Sequence, residues 1–274
     1  MSFSNLRPLS FLTLSMALWA GGCAWLPPAA DAPVAKRVAA LLPADVLLLG
    51  EQHDADEHHR IERETVEALV AQDKLAALAL EMAEDGQSTA RLPASATEAQ
   101  VRAALEWQDK AWPWEAYGPA VMAAVRAGVP VLGANMPRAR MKDAMADVSL
   151  DAQLGDAARA LQQEAVRTGH CNLLPAAQIV PMTRIQIARD RAMAQAIVKA
   201  RQPGKTVLLI AGSGHALRTL GVPQHLPTDV KVVSVKLFAS ATAPAAGSDP
   251  EFDQVWQTAP LPEKDYCAGV RRTS

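Results

Sequence analysis

The chain has 274 residues, 50% of them apolar, and a formal net charge of −2. That length and apolar fraction suffice for the full core of one domain and exclude a disordered polar chain. Acidic and basic residues are interspersed, so there is no basic footprint of the kind that neutralises phosphates, and nucleic acid is excluded as a partner.

The first segment reads as a secretory signal: Arg7 supplies positive charge, Phe11 to Leu18 is an apolar core too short to span a membrane as a settled helix, and small residues follow. Trp19-Ala20-Gly21-Gly22-Cys23 resembles a bacterial lipobox, with Ala20 where such boxes usually carry leucine. On that reading residues 1–22 are a signal peptide and Cys23 carries a lipid. The alternative is a plain signal peptide or an uncleaved anchor. Trp25 rather than an aspartate two residues after the cysteine points to the outer membrane. Residues 23–37, rich in proline and alanine, read as a tether, and 38–270 as the folded domain.

The domain opens with an apolar run, Val46 to Leu49, ending in the turn Gly50-Glu51-Gln52-His53. Asp56 to Gln72 has its apolar side at Ile61, Thr65, Ala68 and Leu69, which is helical spacing. Further apolar runs are Leu75 to Met82, which holds Glu81, Val129 to Asn135, Thr206 to Ile210, and Val230 to Phe238. The fourth ends in a second such turn, Gly212-Ser213-Gly214-His215. Five runs separated by helical patterns predict an α/β fold, a mainly parallel sheet flanked by helices. Two helical stretches, near 94–116 and 140–200, fall outside that alternation and read as a cap subdomain over one end of the sheet. The second is interrupted by Gly169 to Pro175.

In open parallel sheets ligands sit beyond the carboxyl ends of the strands. There the pattern places Glu51, His53, Glu81, Asn135 and His215. Two histidines and two carboxylates converging on one crevice suit a divalent metal or general acid/base chemistry. Each also has a purely structural reading, as a capping histidine or as a carboxylate bonded to backbone amides or to Arg138 or Arg184. His58 and His59 fall on the first turns of the following helix, expected to be exposed, and His170 and His225 read as structural. Trp107, Trp112, Trp114 and Tyr117 either pack the cap on the sheet or line a flat apolar pocket with a phenol as its polar handle. Tyr117 is one of two tyrosines, the other being Tyr266, and a tyrosinate is a hard ligand suited to ferric haem. Cys171 and Cys267 remain after lipidation, an even number in an oxidising compartment. A disulfide is the economical reading, stabilising by roughly 4 kcal/mol on the chain-entropy model. Two buried free thiols are the alternative.

Taken in order, Leu49 to Asp54 with His58-His59, Leu80-Glu81-Met82, Trp114 with Tyr117 and Pro119, Gly133-Ala134-Asn135, Gly169-His170-Cys171, Arg189 to Ala194, and Gly212 to His215 resemble the ChaN family of haem-binding lipoproteins, within the TIKI-like superfamily. The resemblance runs from about Val38 to Cys267. It implies a helical subdomain on an α/β domain, a lipid anchor, a role in haem and iron uptake in bacteria, and homodimers holding haem between subunits with a tyrosine on the iron. Tyr117 carries over as that tyrosine, with Trp114, His58 and His59 around the haem. The wider superfamily implies another reading, a metal-dependent hydrolase of peptidase or esterase type in which Glu51, His53, Glu81 and His215 bind a metal or activate water.

Overall fold

The computed structural model describes residues 31–242 and 249–268. The signal peptide and Cys23 lie outside the described residues. Among those described, no helix is long and apolar enough to cross a membrane. A first helix, α1 (Val34–Leu41), begins ahead of the domain start expected near residue 38 and buries Val34 and Val38.

Strands β1 (Val46–Glu51), β2 (Leu75–Glu84), β3 (Val131–Asn135), β4 (Thr206–Gly212), β5 (Val232–Ala239) and β6 (Gln254–Thr258) form one sheet in the order β3-β2-β4-β1-β5-β6, with every pair parallel. The fold class is thus as expected, with five of the six strands on the apolar runs. The sixth was not anticipated. It lies at the sheet edge with alternating burial, Trp256 and Thr258 turned inward, and its sequence Gln254-Val255-Trp256-Gln257-Thr258 has no continuous apolar run.

Both faces of the central strands are buried, which is why the runs are continuously apolar. Leu47, Leu49, Leu78, Leu80, Leu208 and Ile210 pack on one face, together with Ile61, Val66 and Leu69 of α2 (Asp56–Ala71). α3 (Glu98–Ala104) and α4 (Trp114–Arg126) belong to that layer, the latter through Tyr117, Val121 and Val125. Val46, Leu48, Ala77, Ala79, Val207 and Leu209 pack on the other face with Met193, Ala194 and Ile197. Those three come from α7 (Ala176–Ala200), which follows α5 (Met141–Ala146) and α6 (Asp156–Gly169). Met136, Ala144, Leu150, Leu154, Ile185 and Ile187 form a separate small core among these helices.

The helical stretches differ in detail from the sequence reading. Trp114 opens α4 instead of closing the preceding helix, because Pro113 disfavours helical backbone at Trp112, and Trp107 to Trp112 form a loop. The break at 170–175 separates α6 from α7, with Cys171 and Asn172 both at φ of 59°. Cys171 is disulfide-bonded to Cys267, closing a separation of 96 residues.

Candidate functional site

β1 and β4 are parallel neighbours with Glu51 opposite Gly212, so the two Gly-x-x-His turns leave the sheet side by side. Gly212 marks how closely they approach: a Cβ there would lie 2.9 Å from His53 Nε2 and 3.5 Å from Glu81 Oε2. Glu81 reaches this point through an irregularity in β2. Leu80 pairs with Gly133 but Glu84 with Asn135, so β2 bulges across Glu81 and turns its carboxylate toward β4. Gly212 N–H donates to Glu81 Oε2 at 2.7 Å, and Asn135 Nδ2 donates to the Glu81 carbonyl at 2.9 Å.

Two histidine–carboxylate arrangements result. His53 Nδ1 lies 2.7 Å from Glu51 Oε1, which also accepts from the Tyr117 hydroxyl at 2.9 Å. The His53 ring is exposed and meets the edge of Trp112 at 4.9 Å. His215 Nδ1 lies 2.6 Å from Asp190 Oδ1 of α7, with Nε2 3.4 Å from Glu81 Oε1. Burial disfavours the His215 imidazolium, but the charges of Glu81 and Asp190 outweigh it and raise its pKa to about 10. Glu81 is held down at about 2 because the adjacent His215 overcomes the penalty of burial, and Glu51 is held at about 2 by His53 and His59 in the same way. Against its partial burial, Glu51 and Glu81 raise His53 above its ordinary value.

Above these groups opens a cleft of about 1360 Å³, larger than the ~300–1,000 Å³ typical of drug-sized ligand sites. Glu51, His53, His59, Glu81 and His215 line it together with four cationic side chains, Arg60, Arg63, Lys236 and Lys264, and the phenol of Tyr266. Tyr266 is 56% exposed, and its hydroxyl lies 2.9 Å from Asp54 Oδ2.

Of the residues expected around a haem, only His59 is among those lining the cleft. His58 is fully buried: its Nδ1 accepts from the Gln52 N–H at 3.0 Å, so Nε2 carries the proton and donates to Thr258 Oγ1 on β6, also at 3.0 Å. Burial lowers its pKa to about 4, which keeps it neutral. Tyr117 is 1% exposed and sits behind Glu51, to which its hydroxyl donates, its pKa raised by burial and by the charge of Glu51. Trp114 is buried, with Nε1–H donating to Glu98 Oε2 at 3.1 Å. The sequence reading missed Asp190, although it lies within the Arg189 to Ala194 segment, as well as Glu62 and the position of Tyr266.

Comparison with known proteins bears on the family and the fold. No curated protein matches the chain in sequence. Among solved structures, ChaN of Campylobacter jejuni, described as binding haem cofacially, is 24% identical, with a TM-score of 0.64 over 80% of this chain and 89% of that one. The type III effector HopBA1 is 17% identical, with a TM-score of 0.47 over 84% of this chain and 95% of that one. The family model described as haem-binding uptake, Tiki superfamily, ChaN matches residues 37–226. The chain belongs to that haem-binding uptake family.

Proposed function

We propose that this chain binds haem in the cleft over the carboxyl ends of β1 and β4 and serves haem or iron uptake at the bacterial envelope. The observation that carries the reading is the cleft itself, wide, open and lined by Tyr266, His53 and four cations, in a chain of this family. A haem needs a flat apolar surface, cations for its two propionates and an axial donor. Leu237, Phe238, Pro113 and Pro119 supply apolar lining, and Arg60, Arg63, Lys236 and Lys264 supply the cations. Tyr266 is the better-placed axial donor, since Tyr117 would have to leave Glu51 and emerge from burial. Cofacial haem binding as described for the Campylobacter protein would bring two copies of this chain together, so a homodimer is part of the proposal. The Cys171–Cys267 disulfide suits an oxidising compartment, in keeping with export and with a lipid on Cys23.

Titrating the full chain with haemin gives a saturable Soret shift. Tyr266→Phe changes the charge-transfer bands of the ferric form and weakens binding at least tenfold, whereas Tyr117→Phe leaves the spectrum unaltered. Absence of saturable binding overturns the reading, and the reverse pattern moves the ligand to Tyr117. The convergence of Glu51, His53, Glu81 and His215 at one point favours a second reading, a metal-dependent hydrolase. Turnover of peptide or ester substrates that depends on added metal and is lost in His53→Ala would support it.

A further inference from the structure

Five of the seven buried side-chain polar atoms without a hydrogen-bond partner among the described residues lie on β1 and one face of α2: Glu51 Oε2, His59 Nε2, both carboxylate oxygens of Glu62, and Thr65 Oγ1. Glu51 Oε2 and His59 Nε2 face each other at 3.4 Å as an ion pair without hydrogen-bond geometry, and the Glu62 and Thr65 oxygens lack even that; such a concentration in one place calls for a ligand that satisfies several at once. His59 and Glu62 are three residues apart, so they project from the same side of the helix, toward the end of β1 where Glu51 stands. The Glu51 side chain is fully buried, that of His59 is 10% exposed, and Glu62 is fully buried.

We propose that Glu51, His59 and Glu62 form a binding site for a divalent transition-metal ion, one that shares Glu51 with the first strand-end turn but takes its other donors from α2 in place of His53, Glu81 and His215. One donor atom from each lies within 4.8 Å of the others. Glu51 Oε2 and His59 Nε2 are already 3.4 Å apart, about the separation of two donors on a tetrahedral ion with bonds of about 2.1 Å. One imidazole and two carboxylates suit Zn²⁺, Mn²⁺ or Fe²⁺ better than Ca²⁺ or Mg²⁺, which prefer all-oxygen sites. A cation also answers the charge problem, since burial and the neighbouring Glu51 push the Glu62 carboxyl well above its ordinary value and, among the described residues, no lysine or arginine pairs with it. The second oxygen of Glu51 is already fixed by His53 and Tyr117, which orients the carboxylate for a ligand's role. Access exists, because Glu51 and His59 line the cleft while Glu62 lies a turn deeper.

The test uses the full chain without an affinity tag, free of haem, stripped with chelator and titrated with Co²⁺. The site predicts one equivalent bound, with the visible ligand-field bands of a four- or five-coordinate ion, and displacement by Zn²⁺. Glu62→Gln and His59→Ala each weaken the affinity by at least about tenfold. Because either variant could lose its fold, X-ray absorption on the wild-type Co²⁺ form provides a second reading: a single imidazole nitrogen with oxygens completing the shell. No saturable uptake of Co²⁺ or Zn²⁺ by the folded chain overturns the proposal. So does wild-type affinity in both variants, or two imidazoles on the ion. Loss of binding in His215→Ala with retention in Glu62→Gln would place the ion at the strand-end turns and also overturn it.

Discussion

His215 stands between two carboxylates, Glu81 and Asp190, and this arrangement makes stability depend on pH in a definite direction. Its pKa of about 10 in the fold exceeds the ordinary 6.5, so the stabilisation it gives is complete below pH 6.5 and is lost as the pH rises toward 10. Glu81 is the converse: lowered from 4.5 to about 2, it stabilises fully above pH 4.5 and loses that contribution as the pH falls toward 2. Denaturant unfolding at successive pH values should show His215 removing up to about 1.4 kcal/mol per pH unit across the alkaline window. His215→Gln should lack that slope and be less stable at neutral pH by about 3–5 kcal/mol, because two buried carboxylates lose their cation. Equal slopes in the two proteins would show that the imidazolium is not held there. Glu51, His53, Glu81 and His215 are legible in the sequence because each stands at or just past the end of an apolar run. Asp190 and Glu62 are not. Both lie in helices beside charged residues, where an acid ordinarily faces solvent, and only the packing of α7 and α2 against the strand ends buries them.

The elements that place these residues depend on close backbone approach. The short 3-10 helix Ser213–Ala216 carries His215, and the chain returns at Gly221 directly against the His215 carbonyl. A Cβ at Gly221 would overlap that carbonyl, whereas one at Gly155 would meet nothing within 4 Å. Gly221→Ala should therefore destabilise by about 1–3 kcal/mol and displace the imidazole from Asp190, while Gly155→Ala has little effect. The His215 ring resonances, followed by NMR across pH, check this: in Gly221→Ala the pKa should fall from about 10 toward the ordinary value. An unchanged titration would show that the helix absorbs the methyl group without moving. At this scale the sheet was largely legible, since five strands buried on both faces give continuous apolar runs. The β2 bulge and β6 were not. The bulge arises from how β2 pairs with β3, and β6 has Gln254 exposed and only alternate positions buried, so its sequence carries little signal until β5 is beside it.

Across the whole molecule, the C-terminal tail joins parts of the chain that neither the sheet nor the helices connect. Lys264 and Tyr266 reach Asp54 just beyond the first Gly-x-x-His turn, and the next residue, Cys267, is bonded to the break between α6 and α7. The surface contacts alone hold such a tail weakly, as the Lys264–Asp54 pair is solvent-exposed and screened. The disulfide fixes it, and closing a loop of this length stabilises the fold by about 4–5 kcal/mol on the entropic model. Two proposals then separate. The proposed haem site includes the tail through Tyr266 and Lys264, whereas the proposed metal site of Glu51, His59 and Glu62 draws on β1 and α2 alone. Replacing both cysteines with serine should lower the denaturation midpoint, weaken haemin binding at least tenfold, and leave the Co²⁺ stoichiometry and ligand-field spectrum as in the wild type. Haemin affinity unaffected by the loss of the cross-link would place the tail outside the haem site and return the axial position to a residue of the cleft floor. His53, exposed there with Nε2 beside Gly212, would be first in line.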